Sequence, residues 1–398
     1  MSIFTAYETV RVLDLTLNLA GPFATQILAD LGADVIKVER PGRGDDTRNF
    51  HPKAEGESVV FASVNRNKRS IALDLKDPAG IQTVRRLGAT CDVVVESFRP
   101  GTADRMGLGY EDLRAVNPGV VYCSVSAFGR GEAGRDLPGY DPLIQAFCGI
   151  MATTGHPGNP PTRVAASLID LSTGMWAAVG VAAALADRRR TGQGQHVEAT
   201  LVDSGYALMC HQLSGYLATG QLPGQLGSGS PITAPYEAFH AADGWVMIAA
   251  GNDDLFARLC HALDVPQLAQ DERFRGPHDR VRNREELHAE LDAAIGRDSA
   301  GEVIRRVRAA GVPIGPVNDV DAAAAEPIVA ERDLLVAPQG SDHDALRVVR
   351  LPLTADGRLA CRARRAPGVG EHTDEILAEL EELELARDAD QAIDAQST

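Results

Sequence analysis

The sequence lacks the patterns that mark metal-binding, disulfide-bonded and secreted proteins. Its six cysteines are scattered over 398 residues with no C-x-x-C pair, and its ten histidines show no H-x-x-x-H spacing. This argues against a metal site and a disulfide framework, and it favours reduced thiols in a cytoplasmic protein. The start, MSIFTAYE, has neither the basic nor the apolar part of a signal peptide. No apolar run has the length of a membrane span, so we expect no membrane contact.

Positive charge is also scarce. The chain has 39 Lys and Arg against 55 Asp and Glu, a formal net charge of −16. This balance disfavours nucleic acid and anionic membranes as partners, although a local cluster of arginines can still bind a small anion. What is present, 44% hydrophobic and 24% charged residues, is the mix of a globular protein, and the length suits two domains.

The first half of the sequence alternates predicted strands and helices. A strand over 10–14 leads into a helix with Pro22 in its first turn and Gly32 at its end, and a second strand follows over 35–40. Such a βαβ unit implies an α/β fold with a parallel sheet. Further strands are predicted over 70–74, 92–96, 119–126 and 196–201, with a helix over 78–90.

The turn after the first strand carries LAGP at 19–22, where free backbone amides can bind phosphate. It is not the G-x-G-x-x-G fingerprint, which argues against a nicotinamide cofactor. Glu39 at the end of the second strand is followed by Arg40, which suits a phosphorylated ribose. An ordinary surface charge is an equally good interpretation of Arg40.

The composition changes at residue 220. Residues 220–235 are rich in Gly, Ser and Pro, which predicts a linker or mobile loop, and Gly227, Ser228, Gly229 and Ser230 within it could bring bare backbone close to a ligand. A strand–turn–strand pattern after it, with helices over 252–263 and 284–310, predicts a small α+β domain. The expected organisation is a large domain over 1–219, the linker, a small domain over 236–312, a return segment over 313–386 that completes the large domain, and an unstructured acidic tail over 387–398.

One aspartate falls between two apolar segments. The residues of 164–169 are small or aliphatic, which predicts a short buried strand, and an apolar helix follows Asp170 and ends at the three arginines of 188–190. Free amides and the helix dipole at such a junction would keep Asp170 ionised. A carboxylate in an apolar cleft is a competent nucleophile toward an acyl carbon. Taken alone, an Asp before a helix is more often only an N-cap.

Short motifs are distributed from Leu13 to about Leu380. They are LAGP at 19–22, GADVIKVERPG at 32–42, NKRSIALD at 67–74, VESFRPG at 95–101, GYDPLIQ at 139–145, DLSTG at 170–174, TGQGQ at 191–195 and APGVGEHTD at 366–374. Their order and spacing resemble those of the class III CoA-transferases, the family of formyl-CoA transferase and carnitine CoA-transferase. The resemblance implies a discontinuous Rossmann-like large domain and a small domain, in an interlocked homodimer.

The resemblance also implies site residues. Asp170 matches the catalytic aspartate, the loop 227–230 resembles the glycine-rich loop that covers it, and the positions that line the CoA site are Leu19, Ala20, Arg40, Leu73, Lys76, Ser97, Phe98, Arg105 and Tyr140. The implied activity moves CoA from an acyl-CoA to a free carboxylic acid through aspartyl-anhydride and aspartyl-CoA thioester intermediates. Coenzyme A is then a substrate, and no cofactor is permanently bound.

The sequence does not identify the two acids between which CoA would be transferred. Ser97 stands where the family often has Asn, and Leu19 and Phe50 differ from the residues of formyl-CoA/oxalate enzymes. Arg48 and its basic neighbours suit a dicarboxylate, with succinyl-CoA as a reasonable donor.

Two other activities fit parts of the same pattern. An α-methylacyl-CoA racemase shares the resemblance but needs a second base, normally the His of a Gly-His-Asp triplet. This chain has Gly139-Tyr140-Asp141, and a phenol with an ordinary pKa of ~10 is a poor base at neutral pH. A CoA-binding homologue without catalysis is the other alternative, and the presence of Asp170 argues against it.

Overall fold

The computed structural model describes residues 2–54, 56–340, 346–359 and 363–396. The chain divides into two compact units. The first contains Met1–Cys148, Ala165–Cys210 and Val329–Thr398, and the second contains Gly149–Val164 and His211–Ile328.

A six-stranded parallel sheet forms the centre of the first unit. Its strands are β1 (Arg11–Leu15), β2 (Asp34–Glu39), β3 (Arg69–Ala72), β4 (Val93–Glu96), β5 (Val121–Ser126) and β6 (His196–Thr200). They pair in the order β3-β2-β1-β4-β5-β6, all parallel. The predicted α/β fold with a parallel sheet is therefore confirmed. The strand order reverses between β1 and β4, and ligands of such sheets bind in the crevice at the carboxyl ends of the strands there.

Helices follow the strands as the alternating pattern predicts. The α-helices are α1 (Ala20–Asp30), α2 (Val59–Asn65), α3 (Pro78–Thr90), α4 (Thr102–Arg105), α5 (Tyr110–Arg114), α6 (Asp141–Phe147), α7 (Ile150–Thr153), α8 (Leu168–Thr191), α9 (Leu201–Leu208), α10 (Cys210–Thr219), α11 (Asp253–Ala262), α12 (Pro277–Arg282), α13 (Arg284–Ile295), α14 (Ala300–Ala309), α15 (Val320–Ala325), α16 (Pro327–Glu331) and α17 (Thr373–Gln396).

The second unit has its own sheet and core. Strands β7 (Tyr236–Ala241), β8 (Gly244–Ala249) and β9 (Ile314–Pro316) form an antiparallel sheet in the order β9-β8-β7. Its buried face packs with α11, α13 and α14 around side chains such as Phe239, Phe256 and Leu291. The single helix predicted over 284–310 is two helices, because Gly296 ends α13 and the Ser299 hydroxyl caps α14.

Two predictions about local structure are wrong. Residues 164–167 form no strand: Ala165 and Ala166 are exposed, no strand pairs with them, and α8 begins at Leu168. The tail predicted to lack structure instead continues α17 to Gln396. Small, helix-favouring residues dominate both segments, so composition alone does not separate strand, coil and helix there.

Helix α8 also contradicts the expectation that no apolar run reaches the length of a membrane span. By length and composition it is the one helix of the described chain that could cross a membrane, and half of its apolar stretch is buried. It packs along α1 and against β5 and β6. A core helix of a globular domain has the same composition.

The cysteines that the structure describes are thiols without disulfide bonds. Cys91, Cys123, Cys148 and Cys260 are buried, and Cys210 is exposed. Cys361 lies outside the described residues.

A buried network of charges fixes the turn between β1 and α1. The carboxylate of Asp14, at the end of β1, accepts hydrogen bonds from Lys68 Nζ at 2.9 Å and from Thr25 Oγ1 at 2.7 Å. Lys68 Nζ also donates to the carbonyl of Pro22 at 2.9 Å, and Lys37 Nζ donates to the carbonyl of Thr16 at 2.9 Å. The two ammonium groups thus hold the backbone on both sides of residues 19 and 20.

Burial and pairing act in opposite directions on the acidity of this network. Burial disfavours the ionised form of Asp14, but Lys68 and Lys37 outweigh it and hold the pKa of Asp14 well below its ordinary value. Burial lowers the pKa of Lys68 to about 8, against the opposing effect of Asp14. Each charge is therefore maintained by its partners.

We expect Lys68→Met to destabilise the protein by about 3–5 kcal/mol, because the change leaves Asp14 as a buried carboxylate without its nearest cation. Urea unfolding followed by circular dichroism measures the difference. Lys53→Met, at an exposed lysine of a two-residue strand, is the matched control and should change the free energy of unfolding by less than about 0.5 kcal/mol. Equal unfolding midpoints for both variants would contradict the role given to the network.

Candidate active site

Asp170 is the third residue of α8, and a second carboxylate caps the helix on which it lies. The cap residue, Ser167, makes no side-chain hydrogen bond to the helix. Asp141 takes that place: its Oδ2 accepts hydrogen bonds from the amides of Ile169 at 2.7 Å and of Asp170 at 3.4 Å. Asp141 is 4% exposed, and its Oδ1 accepts a hydrogen bond from Gln145 Nε2 at 2.6 Å. The backbone amides in the first turn of α8, which we expected to be free, thus donate to the carboxylate of Asp141 at the start of α6.

This arrangement raises the pKa of Asp170. Burial, and then the negative charge of Asp141, raise the pKa of Asp170 to about 7. We expected free amides and the helix dipole to favour the ionised form of Asp170, but the pKa is raised instead, because Asp141 occupies the amides and adds a like charge. The ionised fraction of Asp170 at neutral pH is therefore smaller than that of an ordinary Asp, and a carboxylate of raised pKa is a better nucleophile than an ordinary one.

A glycine brings the start of α1 close to this carboxylate. A Cβ at Gly174 would lie 2.6 Å from the carbonyl oxygen of Ala20, so only glycine allows the two helices to approach this closely. Asp170 lies one turn before Gly174 on the same face of α8. Leu19 is the cap residue of α1, and Ala20 is its buried first residue. Leu19 and Ala20 therefore lie at the end of α1 that approaches α8 one turn after Asp170.

A cavity of about 270 Å³ lies at the carboxyl ends of β1 to β4, and four of the predicted site residues line it. Arg40, Leu73, Lys76 and Phe98 line it together with apolar side chains that include Val38 and Met106. The walls are thus largely apolar, which suits a flat base, and the charged lining consists of Arg40 and Lys76 together with Glu39, which pairs with Arg48, and Asp74. Its position matches the crevice expected where the strand order reverses.

A second cavity, of about 190 Å³, lies beside the first and shares Phe98 with it. Ser97 and Tyr140 line it, as do Arg99 and Arg135. The Ser97 hydroxyl accepts a hydrogen bond from the amide of Leu17 at 2.9 Å, which ties the ends of β1 and β4 together. Tyr140 is 67% exposed and directly precedes Asp141.

Two groups of predicted residues lie elsewhere. Arg105 ends α4, is exposed, and donates a hydrogen bond to Thr102 Oγ1 at 2.9 Å, and neither cavity includes it. The loop 227–230 belongs to the second unit.

Arg48 does not have the free guanidinium that binding of a dicarboxylate requires. It contacts both carboxylate oxygens of Glu39, at 2.7 and 2.6 Å, and donates to the carbonyl of Pro367 at 2.9 Å. Glu39 is 2% exposed, so this pair is buried. Arg40 is half exposed at the cavity rim and pairs with Asp46 at 2.6 Å.

A model of CoA-transferase family III matches residues 7–373. The chain belongs to this family. It is 42% identical over 335 residues to the acetyl-CoA:oxalate CoA-transferase of Acetobacter aceti. The aligned region covers 84% of this chain and 86% of that protein. It is 38% identical to the succinate–glutarate CoA-transferase of Agrobacterium fabrum, over 94% of this chain and 96% of that protein. The human succinyl-CoA:glutarate CoA-transferase is also 38% identical, over 94% and 85%.

Solved structures agree with this assignment. A CaiB/BaiF family protein from Brucella suis has a TM-score of 0.84 at 38% identity, over 93% of this chain and 98% of that chain. Rv3272 from Mycobacterium tuberculosis has a TM-score of 0.83 at 33% identity, over 92% and 98%. The protein is therefore a family III CoA-transferase that uses a CoA thioester as a substrate.

The sequence reasoning missed Asp141, although it quoted the motif that contains it. The GYDPLIQ motif was interpreted only through Tyr140, at the position of a racemase base. The signal for Asp141 is an Asp that opens a helix with a Gln four residues later, because Gln145 binds Asp141 and Asp141 binds the first turn of α8. Among the residues that the structure describes, no group of His, Cys, Asp and Glu is arranged to hold a metal ion.

The pKa of Asp170 makes the activity of this CoA-transferase depend on pH if the carboxylate is the attacking group. We expect kcat/KM to fall about tenfold for each pH unit below 7, because only the ionised form reacts. Asp141→Asn keeps an oxygen that can accept from Ile169 but removes the like charge. The Asp141→Asn change should move the acidic limb of the pH profile of kcat/KM to lower pH by about one unit.

Asp187→Asn, at the other end of α8, is the matched control for this measurement and should leave the limb in place. A profile for Asp141→Asn with the same limb as the unchanged enzyme would show that Asp141 does not influence the ionisation of Asp170.

Proposed function

We propose that this CoA-transferase works through covalent intermediates on Asp170. The observation that carries the proposal is the position of Asp170, a carboxyl group of raised pKa on the helix that Asp141 caps and that approaches the first turn of α1 at Gly174. Splitting a slow exchange between a carboxylate and a thioester into successive acyl transfers is covalent catalysis.

The steps balance without a net change in protons. The Asp170 carboxylate attacks the thioester carbonyl of the donor, the C–S bond breaks, and a mixed anhydride and CoA thiolate form. The thiolate attacks the Asp170 carbonyl, which releases the donor acid as a carboxylate and leaves aspartyl-CoA thioester. The acceptor carboxylate then attacks this thioester to give a second anhydride and CoA thiolate. Attack of the thiolate on the acceptor acyl group yields the new acyl-CoA and regenerates Asp170.

The two cavities of the first unit suit the two parts of coenzyme A. We place the adenine between Leu73 and Phe98, with Arg40 and Lys76 toward the phosphates. The pantetheine arm would then follow the second cavity, which is lined by Ser97, Phe98 and Tyr140. Its thiol end would point toward Leu19, Ala20 and Asp170. Arg105, exposed on α4, is the remaining cation that the family resemblance assigns to coenzyme A.

We further propose that the enzyme is a cytoplasmic homodimer. Directly after Asp170, α8 exposes Met175, Trp176 and Val179, at 49%, 55% and 56%. A second copy of the chain would cover this apolar face, as the interlocked dimers of the family imply. In the same assembly we expect the loop 227–230 to cover Asp170 and exclude water. The described cysteines, thiols that are mostly buried, suit a reducing compartment.

We propose a dicarboxylic acid as one of the two acids. The relatives are named for oxalate, succinate and glutarate. Because Arg48 is bound to Glu39, the cations for a distal carboxylate would be Arg99 and Arg135, which line the second cavity. Transfer also fits these names better than the racemisation considered above.

Asp170→Ala should abolish CoA transfer while the binding of CoA changes by less than about threefold, because the change removes the nucleophile but neither cavity. Transfer is followed by mass spectrometry of the acyl-CoA products, and CoA binding by calorimetry. Asp187→Ala on the same helix is the matched control and should remain active. Hydroxylamine added during turnover should label Asp170 in the unchanged enzyme. Transfer that survives in Asp170→Ala would refute the mechanism.

Succinyl-CoA as donor should react faster with glutarate or oxalate than with propionate or acetate, by about tenfold or more, since a charge-assisted hydrogen bond to a second carboxylate contributes only for the dicarboxylates. The measurement is the initial rate of each acyl-CoA product at one acid concentration. Equal rates for dicarboxylates and monocarboxylates would rule out the proposed substrate class.

A further inference from the structure

The loop 227–230 is fastened to the second unit at several points. The amide of Ser230 donates to the carbonyl of Tyr236 at 3.0 Å, and the Ser228 hydroxyl accepts from the amide of Ala238 at 2.9 Å. Both partners are on β7, the edge strand of the small sheet. Gly227, with φ of +59°, donates its amide to the carbonyl of Gly155 at 2.8 Å. The loop therefore has a defined conformation within its own unit.

One guanidinium lies inside the curve of this loop. Arg284, the first residue of α13, donates from Nη2 to the carbonyls of Ser230 and, at 3.4 Å, of Thr233. A Cβ at Gly229 would lie 2.5 Å from Nη1 of Arg284, so the loop backbone contacts the guanidinium directly. The side chain of Arg284 is 15% exposed. The loop thus adopts its shape around Arg284.

A second row of contacts connects Arg284 to the core of the unit. Glu237 Oε1 lies 3.7 Å from Nη1 of Arg284, and Glu237 Oε2 lies 3.1 Å from Nδ1 of His288. The ring of His288 stacks on the fully buried ring of Phe239 with centroids 4.8 Å apart. Glu237 is therefore held by α13 and in turn orients the guanidinium.

Arg284 is not placed there for ion-pair stability alone. Its Nη1 is buried and makes no hydrogen bond with any residue of the described chain, and the distance to Glu237 exceeds that of a hydrogen bond. A buried donor without a partner costs free energy, so the ion pair with Glu237 satisfies the guanidinium only in part. The interaction that Arg284 does complete is the one with the loop.

We propose that Arg284 is a positioning residue that sets the conformation of the loop 227–230, and that it thereby decides how much of the aspartyl-CoA thioester is lost to water. The inference rests on the proposed function, in which this loop covers Asp170. In the unwanted reaction, water adds to the thioester carbonyl, the C–S bond breaks, and the Asp170 carboxylate, CoA thiol and a proton are released. A loop that fits less closely admits water in competition with the acceptor carboxylate.

Arg284→Met keeps the length and apolar stem of the side chain but removes the planar group that the loop surrounds. We expect the ratio of free CoA thiol released to CoA transferred to rise about tenfold, because water gains access while the acid still has to bind. A thiol reagent measures the released CoA, and mass spectrometry measures the transferred CoA in the same reaction. Arg284→Lys, which retains the charge, should give an intermediate ratio.

Arg282→Met is the matched control. Arg282 lies two residues before Arg284, its side chain is 71% exposed, and it pairs with Asp279 at 2.7 Å, so its removal should leave the ratio unchanged. Glu237→Gln should raise the ratio less than Arg284→Met. The double variant should not exceed Arg284→Met, because both changes act through one guanidinium.

The outcomes separate this inference from the proposed function. If hydroxylamine labels Asp170 in the unchanged enzyme but the ratio of released to transferred CoA is the same in Arg284→Met, Arg284 is not the positioning residue. If release and transfer fall together, Arg284 is only structural and the inference is also overturned. If the unchanged enzyme is not labelled, it is the covalent mechanism that fails. Should Arg284→Met not fold, the ratios of Arg284→Lys and Glu237→Gln decide in the same way.

Discussion

The contact between the Asp141 carboxylate and the first amides of α8 is the interaction on which the rest of the site depends. It replaces the side-chain cap that Ser167 does not provide, so it fixes where the helix with Asp170 begins. The same carboxylate places a negative charge beside Asp170 and, after burial, is the second cause of its raised pKa. One group therefore sets both the position and the basicity of Asp170, which ordinary N-caps do not do.

The surroundings of this pair are held by interactions that leave little freedom to the backbone. Lys37 and Lys68 bind the carbonyls on both sides of the turn at residues 19 and 20, and Gly174 allows α8 to contact the first turn of α1. Buried ionic networks contribute modestly to net stability but tolerate few alternative arrangements of their members. The turn is thus preorganised, which is what a reaction with several short-lived acyl intermediates requires.

The second unit contains the loop to which we assign a different task. The first unit contains Asp170 and the two cavities, and the thioester intermediate proposed on Asp170 would also need shielding from water while acids exchange. A loop of two glycines and two serines has too little side chain to hold its own shape, so its conformation has to come from β7 and from Arg284. The small residues keep the loop free of bulky side chains, and contacts with larger neighbouring residues fix its conformation.

Much of the fold could be predicted because its signals are local. The helix predicted over 78–90 has the observed bounds of α3, and the predicted strands over 35–40 and 92–96 match β2 and β4 to within two residues. The segment 164–169 misled because small aliphatic residues suit strand, coil and helix equally, and pairing decides between them. The break at Gly296 between α13 and α14 was visible as a glycine, but helical spacing on both sides obscured it.

By itself the sequence determined the alternation of strands and helices, the parallel sheet and, through its motifs, the family and the aspartate proposed as the nucleophile. Only the tertiary structure decided which charges face each other. Asp141 and Asp170 are far apart in the chain, Arg48 turns to Glu39 instead of to a substrate, and Arg284 meets a loop that precedes it by more than fifty residues. The reason is physical: local spacing reports the neighbours of a residue along its own helix or strand, whereas the acidity and partners of a buried charge depend on groups that packing brings from elsewhere.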